Sequence, residues 1–324
     1  MPAILSPHSK FMVLGRAGMD LYADPPGTEV EHAAKFSTAL GGSSGNIAAG
    51  LARHGLSTSL LTCTSDDAVG RFVRNELEKY GIDATYVRVL PGESRTSLAV
   101  TETRLENTQN TLYRNNASDL LLTEDLIAEV TFEDFDALIV TGTALASNPS
   151  RTATLRAMEH ARNADALVVI DLDYRPYSWP NAHEAAETYR AAIEASDVVV
   201  GNDDEFAVVA NGTPEDGREL AAELGQDDKT IIYKMGEKGS IVFSQDETFE
   251  TGIFRVAAIK PMGAGDAFMA SLMASMATGH PLREAVLRGS AAAAMVVSRF
   301  GCAPAMPTGA ELDAFVSQNS APQT

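Results

Sequence analysis

The sequence of 324 residues is poor in cysteine, in basic side chains and in long apolar runs. Its two cysteines, Cys63 and Cys302, match neither a CxxC pair nor a zinc-ligand spacing, so we expect two buried thiols in a reducing compartment. No apolar run reaches about 18 residues without a charge, and a membrane-spanning helix is therefore not expected. The segment from Met1 to Lys10 lacks the apolar core of a signal peptide, which predicts a cytoplasmic protein.

Positive charge is scarce. Lys and Arg total 25 against 44 Asp and Glu, which gives a net charge of −19. Nucleic acids and anionic membranes both attract basic surfaces, so neither is expected as a partner. A small anionic substrate is not excluded, because a few local Arg or Lys side chains can override the field of the whole protein.

Strand-like apolar runs alternate with helical segments along the chain. The strand-like runs lie at 11–14, 58–62, 137–140, 167–172 and 198–200, with paired strands at 230–235 and 240–244. The main helical segments lie at 46–54, 69–80, 150–162, 182–195, 204–210, 266–278 and 282–300. This order predicts one α/β domain over residues 1–324, with a parallel sheet covered by helices on both faces. Ligands of such sheets bind at the carboxyl ends of the strands.

Two segments interrupt the alternation. Residues 15–35 contain Pro25, Pro26 and Gly27, and residues 94–116 are polar with alternating β-type side chains. They predict a small β lid over the site, which would exclude water from a transfer reaction. The alternative is an edge hairpin with no role in the site.

The most informative motif is Gly263-Ala264-Gly265-Asp266. An apolar run at 252–259 precedes it and a helical pattern follows, so the motif is expected where a strand hands over to a helix. Free N–H groups at a helix start, unshielded by side chains, form an anion hole suited to a phosphoryl group in transfer. Asp266, kept ionised by the same donors, could accept a proton from an attacking hydroxyl. The alternative is an ordinary turn in which Asp266 caps the helix.

Several nucleotide-binding signatures are missing. No GxxxxGK[ST] segment is present, the protein-kinase HRD and DFG motifs are absent, and residues 15–18 do not supply GxGxxG. A second glycine motif, Gly41-Gly42-Ser43-Ser44-Gly45-Asn46, precedes the predicted helix at 46–54.

Together the two glycine motifs closely resemble the paired signatures of the PfkB (ribokinase-like) sugar kinases. The resemblance covers nearly the whole chain, and its further pieces in family order are Gly18-Met19-Asp20, Asp171-Leu172-Asp173-Tyr174-Arg175, Asn202-Asp203-Asp204-Glu205 and the segment from Lys234 to Gly239. It implies a ribokinase-like three-layer αβα sandwich with a mostly parallel central sheet and a small β lid. It also implies a carbohydrate kinase that uses ATP and Mg²⁺, and that often pairs as a homodimer through the lid.

The resemblance assigns roles to individual residues. Sugar hydroxyls would be bound by Asp20, Gly41, Gly42 and Asn46. Asp266 would be the catalytic base, beside an anion hole formed by the amides of Gly263, Ala264 and Gly265. Mg²⁺ and its waters would be organised by Asn202 and Glu205, and the nucleotide groove would be lined by Lys234, Gly236 and Gly239. The plainer alternatives are a turn carboxylate for Asp20, a helix cap for Asn46, a solvated acid for Glu205, and strand-end hydrogen bonding for Asp171 and Asp173.

One segment departs from the common pattern of the family. Most members have Asp-Thr-Thr before the anion hole, whereas this chain has Lys260-Pro261-Met262. The loss of acidic and hydroxyl groups leaves open whether the family's monovalent-cation contacts exist here. Lys260 could screen phosphate charge or could be a solvated loop residue.

The same tripeptide resembles the subgroup that phosphorylates 5-dehydro-2-deoxygluconate, an acid of myo-inositol catabolism. A sugar acid needs a fixed cation for its carboxylate, preferably an arginine fork. Arg114 is the first candidate, with Arg175 and Arg16 next, and the alternative for each is a surface ion pair. Rival activities are 2-keto-3-deoxygluconate kinase, fructokinase and ribokinase. A different class of protein, a non-catalytic sugar sensor, would not need to keep Asp266, Asn202 and Glu205.

Overall fold

The computed structural model describes residues 5–319, so the ends of the predicted 1–324 domain lie outside the described residues. The strands are β1 (Lys10–Leu14), β2 (Gly18–Asp24), β3 (Lys35–Gly41), β4 (Ser57–Ser65), β5 (Val87–Leu90), β6 (Leu98–Thr101), β7 (Asn110–Tyr113), β8 (Ala137–Thr141), β9 (Leu167–Asp171), β10 (Val198–Asn202), β11 (Thr230–Lys234), β12 (Ser240–Phe243) and β13 (Thr248–Thr251). The α-helices are α1 (Ser43–Arg53), α2 (Ala68–Tyr80), α3 (Glu124–Ala128), α4 (Ser150–Asn163), α5 (Ala182–Glu194), α6 (Asp203–Ala210), α7 (Pro214–Leu224), α8 (Ala264–Ala277), α9 (Leu282–Val297) and α10 (Gly309–Gln318). Within the described range, every helix is too short or too polar to cross a membrane.

Nine strands form the central sheet in the order β13-β12-β11-β10-β9-β8-β1-β4-β5. The seven strands from β11 to β5 are parallel to their neighbours, and β12 and β13 add an antiparallel edge. The parallel α/β sheet predicted from the sequence is confirmed. Its parallel strands all end on one side of the molecule, which is where a ligand is expected.

The sheet is covered on both faces, and strand β1 shows how the sequence achieves this. Met12 and Leu14 pack into a core with α4, α5, α6 and α7, while Phe11 and Val13 pack into a second core with α1, α2, α8 and α9. Successive side chains of a strand point to opposite faces, so a strand that is buried on both sides must be apolar throughout. The result is the expected three-layer sandwich.

A separate four-stranded sheet, in the order β3-β2-β6-β7, forms the lid. Strands β2, β6 and β7 fall within the segments 15–35 and 94–116, as predicted. Strand β3 was not predicted, because its polar first half, Lys35–Thr38, reads as a loop. It pairs with β2 along its full length, from Gly18 opposite Gly41 to Asp24 opposite Lys35.

The segment before the anion hole differs from the prediction. Residues 252–262 contain no strand, although their apolar character suggested one. The backbone N–H groups of Ile259 and Lys260 instead donate to the carbonyl of Val297 at the end of α9, at 2.8 and 3.3 Å. Phe254 packs into a cluster with residues of α8 and α9, so burial against helices explains the apolar pattern. Helix α8 therefore follows an extended loop rather than a strand.

Candidate active site

A cavity of about 290 Å³ lies at the carboxyl ends of the central strands, beneath the lid. The lid contributes side chains of β2, β6 and β7, such as Asp20, Thr101 and Asn110, and the first turn of α8 forms another part of the wall. Most of the predicted site residues line this cavity: Asp20, Gly42, Asn46, Arg114, Arg175, Asn202, Glu205, Lys234, Gly263, Ala264, Gly265 and Asp266. Residues more than 240 positions apart in the chain are thus brought to one site.

A second cavity of about 610 Å³ lies beside the first and is lined mainly by apolar side chains, including Ile253, Phe254 and Val256. Gly236 and Gly239 line it, where they were predicted to line a nucleotide groove. The two cavities share five lining residues, namely Asn202, Lys234, Pro261, Ala264 and Gly265. A ligand in one cavity can therefore meet a ligand in the other at the start of α8.

The start of α8 has the geometry of an anion hole. Gly263 is the N-cap, with φ of 83°, and it has no side chain to occupy the free N–H groups of the first turn. A Cβ atom at this position would lie 2.9 Å from Cys302 Sγ and 3.1 Å from Val296 Cγ1. Glycine is thus required both by the backbone conformation and by the neighbouring atoms. The amides of the first turn and the positive end of the helix dipole face the place where the two cavities join.

Asp266 lies in the first turn of α8 and is held by Asn46. The Nδ2 group of Asn46 donates to Asp266 Oδ2 at 2.8 Å. Helix α1 begins at Ser43, so Asn46 lies inside its first turn, and the alternative role of Asn46 as a helix cap is wrong. The contact joins the two glycine motifs across the site.

The sequence predicted that the helix donors keep Asp266 ionised. This prediction is wrong, because the surroundings of Asp266 raise its pKa. Burial raises the pKa of Asp266 to about 7, with further contributions from the negative charges of Asp173 and Asp171. The hydrogen bond from Asn46 and the charge of Arg175 act in the opposite direction but do not outweigh burial. A carboxylate with a pKa near neutrality is well suited to accept a proton at physiological pH.

Glu205 is buried rather than solvated, so the plainer alternative for this residue is wrong. Its carboxylate accepts the backbone N–H groups of Asn202 at 2.8 Å and Tyr174 at 3.1 Å, while Asn202 Oδ1 accepts the N–H of Glu205 at 2.9 Å. Burial raises the pKa of Glu205 to about 7, although the positive charge of Lys234 opposes the shift. These reciprocal bonds form a capping box at the start of α6 and fix both side chains at the cavity wall.

Further charges complete this part of the wall. Burial raises the pKa of Asp171, whereas the Lys234 ammonium opposes that shift. Burial by itself would lower the pKa of Lys234, but the carboxylates of Asp171 and Glu205 outweigh it and the net shift is upward. Oxygen donors of this kind, from Asp171, Asn202 and Glu205, are the ligands that Mg²⁺ and its waters prefer. The residues present therefore fit a magnesium–phosphate group.

The lid side of the cavity carries Asp20, whose Oδ2 accepts a hydrogen bond from the Tyr22 hydroxyl at 2.9 Å. A Cβ atom on Gly41 would lie 1.9 Å from Asp20 Oδ1, and one on Gly42, at φ of 87°, would lie 2.4 Å from the Arg16 carbonyl. The Gly41-Gly42 pair therefore lets the backbone pass directly beneath the buried carboxylate. Asp20 is available as an acceptor for a ligand hydroxyl.

Three arginines line the cavity, and they differ in exposure and in hydrogen-bond partners. Arg114 is only 7% exposed, and its Nε and Nη2 groups bond Asp119 Oδ2 and the Thr143 carbonyl, the latter at 2.9 Å. Arg175 is 47% exposed and pairs with Asp173 at 2.5 Å. Arg16 donates from Nη1 to Ser97 Oγ at 3.1 Å. Arg114 is thus fixed by Asp119 and Thr143 at the cavity wall, whereas Arg175 is open to water.

Lys260 is not solvated, and it lines the second cavity but not the first. Its side chain is fully buried, and Nζ donates to the Met262 carbonyl at 2.6 Å. Of the two alternatives left open for Lys260, the solvated loop lysine is wrong, because the loop folds back over the side chain against α9.

Sequence reasoning missed several residues of the site. Ser43 Oγ donates to Asp173 Oδ2, and Tyr22 and Cys302 both line the cavity. Ser43 lies within the glycine motif and could have been inferred from it. Cys302 gave no signal, since only the folded chain places its sulfur 3.2 Å from the Tyr22 hydroxyl.

Comparison with known proteins agrees with this geometry. The model of the pfkB family carbohydrate kinases matches residues 8–309. The chain is 41% identical to the 5-dehydro-2-deoxygluconokinase of Photobacterium profundum over 94% of each chain, and 36% identical to that of Geobacillus kaustophilus over 95% of this chain and 94% of the relative. Its fold matches an Escherichia coli structure designated ribokinase II, in complex with ATP and Mg²⁺, with a TM-score of 0.85 and 21% identity over 96% of this chain and 99% of the other. The chain therefore belongs to the pfkB family of carbohydrate kinases.

Proposed function

We propose that this carbohydrate kinase transfers the γ-phosphoryl group of ATP to the terminal 6-hydroxyl of 5-dehydro-2-deoxy-D-gluconate, as a step of myo-inositol catabolism. The observation that carries the proposal is the junction of the two cavities at Ala264 and Gly265, with Asp266 on the sugar side. Relatives that are 35–41% identical over at least 94% of this chain are named for this activity, and their names support the choice of substrate.

ATP would occupy the larger, apolar cavity, with its phosphates directed toward the start of α8. The sugar acid would occupy the smaller cavity, with its hydroxyls near Asp20 and Asn46 and its terminal hydroxyl at Asp266. Asp266 accepts the proton of that hydroxyl as its oxygen attacks phosphorus in line with the departing ADP. The amides of the first turn of α8 stabilise the charge on the moving phosphoryl group.

Mg²⁺, when bound, neutralises phosphate charge. Asn202 and Glu205 would hold it through its waters, and their capping box keeps both oxygens in a fixed place. Lys234 Nζ lies 3.6 Å from the position of a Cβ on Gly265, so its ammonium is also close to the anion hole. The lid would exclude water from the site when it closes over the sugar, and this water would otherwise compete for the phosphoryl group.

The arginines explain why an acid is favoured over a neutral sugar. We assign the carboxylate of the substrate to Arg114, because Asp119 and Thr143 already fix the plane of its guanidinium group. These contacts use Nε and Nη2, and within residues 5–319 no hydrogen bond engages Nη1. A rigid fork loses little entropy when it binds a carboxylate. Arg175 adds positive charge from the open side of the cavity.

The test is a KM measurement on Arg114→Lys, which keeps a charge beside Asp119 but loses the planar fork. We expect the KM for the sugar acid to rise about 10-fold or more, the range expected for a hydrogen bond to a charged group, while the KM for ATP is unchanged. Arg156→Ala is the control, since Arg156 is an arginine that is 47% exposed on α4, outside the cavity. If the KM for the sugar acid were unchanged in Arg114→Lys, Arg114 would not be the residue that binds the substrate carboxylate. Phosphorus NMR of the wild-type product shows whether the phosphate is on the terminal oxygen, as proposed.

We also propose that the enzyme acts in the cytoplasm, where ATP is available, and that two copies pair through their lids. Phe36 on β3 and Tyr113 on β7 are 39% and 59% exposed, and they lie on the two edge strands of the lid sheet. Sedimentation of the wild type and of Phe36→Ser with Tyr113→Ser tests the pairing, which predicts a dimer for the first and a monomer for the second.

A further inference from the structure

Lys260 is the most unusual side chain near the anion hole. Lysine is almost never fully buried unless it is paired, yet this side chain is 0% exposed and is among the largest buried groups of the described chain. Within residues 5–319, its ammonium makes one hydrogen bond, to the carbonyl of Met262 at 2.6 Å. A short bond of this kind is typical of a charged donor.

The position of that carbonyl connects Lys260 to the reacting groups. The C=O of Met262 and the N–H of Gly263 belong to one peptide plane, and in a trans peptide they point in opposite directions. Pulling the carbonyl toward Lys260 therefore aims the Gly263 N–H to the other side of the loop. Met262, Gly263 and Ala264 line the sugar cavity, whereas Lys260 lines only the second cavity, so the lysine lies on the far side of the loop from the sugar, behind it.

The charge of Lys260 acts on the same groups. Burial lowers its pKa, while Cys302, Asp266 and Asp20 favour the charged form. No carboxylate within residues 5–319 forms an ion pair with it. Its field is therefore not neutralised at short range, and it also polarises the peptide that it binds.

We propose that Lys260 is a positioning residue that serves as an internal monovalent cation for the anion hole. It fixes and polarises the peptide between Met262 and Gly263, so turnover needs no added potassium or other monovalent cation. This inference rests on the proposed function, because the rate is measured with that sugar acid.

The test compares Lys260→Met and Lys260→Ala with the wild type. We expect kcat to fall about 10- to 100-fold, up to the loss seen when one donor of such a hole is removed, while the KM for the sugar acid changes less than about 3-fold. Lys79→Met is the matched control, because Lys79 is an exposed lysine on α2. Near-normal kcat in Lys260→Met would overturn the proposal.

Chemical rescue separates this role from a structural one. Lys260→Ala leaves room for a small cation behind the loop, so ethylammonium or potassium should restore kcat about 3-fold or more. No rescue by either ion, in a variant whose circular dichroism matches the wild type, contradicts the inference.

A measurement on the wild type alone covers the case in which the variants do not fold. Its rate should be the same in potassium as in tetramethylammonium, and stimulation by potassium of about 10-fold or more overturns the proposal. Binding of Mg-ATP, followed by calorimetry, gives a readout without turnover: Lys260→Ala should bind more weakly, and potassium should restore binding. If the wild type turns over no sugar acid, the proposed function fails, and the calorimetry still decides the role of Lys260.

Discussion

Replacing Asp266 with Asn tests whether the carboxylate is the proton acceptor. The substitution keeps the shape of the side chain, and its oxygen can still accept the hydrogen bond from Asn46. General-base catalysis contributes about 10²–10⁴-fold, so kcat should fall by that factor while Mg-ATP still binds. In the wild type, a pKa of about 7 means that roughly a tenth of the enzyme is ionised near pH 6 and about nine tenths near pH 8. We therefore expect kcat/KM to rise nearly tenfold between these pH values.

The same substitution should stabilise the protein at alkaline pH. Because the folded pKa of Asp266 is raised from 3.8 to about 7, the folded state binds more protons than the unfolded state between these values, and stability falls as pH rises through this window. The full shift corresponds to about 4 kcal/mol as an upper limit, and contact with water in the cavity reduces this to roughly 1–2 kcal/mol. Asp266→Asn should thus unfold at a higher temperature than the wild type near pH 8.

The assay is a coupled measurement of ADP release between about pH 5.5 and 9, together with thermal unfolding of both proteins at each pH. Asp125→Asn is the control, because this exposed aspartate lies on α3 and outside the cavity. Near-normal turnover of Asp266→Asn refutes the assignment of the base. A large loss of turnover accompanied by a lower unfolding temperature would point to structural damage instead.

Two further predictions concern the nucleotide side. Glu205→Gln keeps the capping box but removes the charge, so the Mg²⁺ concentration for half-maximal rate should rise about 10-fold; an unchanged Mg²⁺ dependence would exclude Glu205 from the metal site. Gly239→Ala places a Cβ 1.9 Å from the Thr251 carbonyl at φ of 89°, whereas Gly279→Ala, at φ of 85°, meets no atom within 4 Å. In both variants the strained backbone should lower the free energy of unfolding in urea by about 1–2 kcal/mol. Gly239→Ala should lose more stability than Gly279→Ala, and its KM for ATP should rise, because its Cβ also meets the Thr251 carbonyl. Equal losses of stability would show that the structure relieves this contact.

Much of the fold follows from local patterns that survive in the structure. The apolar strands and their helices were predicted because each pattern is decided within about ten residues, as in β1 and β8. Helix α7 could have been found from Thr213-Pro214 and Asp216, whose capping box is present. The apolar residues 252–259 were misread, since burial against helices gives the same composition as burial in a sheet.

The site, like the fold, has features that local sequence patterns predict and features that they do not. Glycine motifs predict where the backbone must pass close to other groups, and Gly42 and Gly263 both have positive φ. What the sequence could not give is the set of contacts between distant segments, such as Asn46 with Asp266 or Tyr22 with Cys302. The raised pKa of Asp266 comes from burial beneath distant segments, so the expectation that helix donors keep it ionised was wrong. The burial of Lys260 also depends on the folded chain, and the sequence left its environment open.

The most direct test of the central claim is a comparison of kcat/KM, by Mg-ATP-dependent ADP release, for 5-dehydro-2-deoxygluconate, 2-keto-3-deoxygluconate, fructose and ribose. The account predicts a value at least about tenfold higher for the first acid than for the other three, which corresponds to about 1.4 kcal/mol of discrimination in the transition state. Preference for fructose or ribose would contradict the role of the arginines. Absence of turnover with all four would contradict the proposed reaction itself.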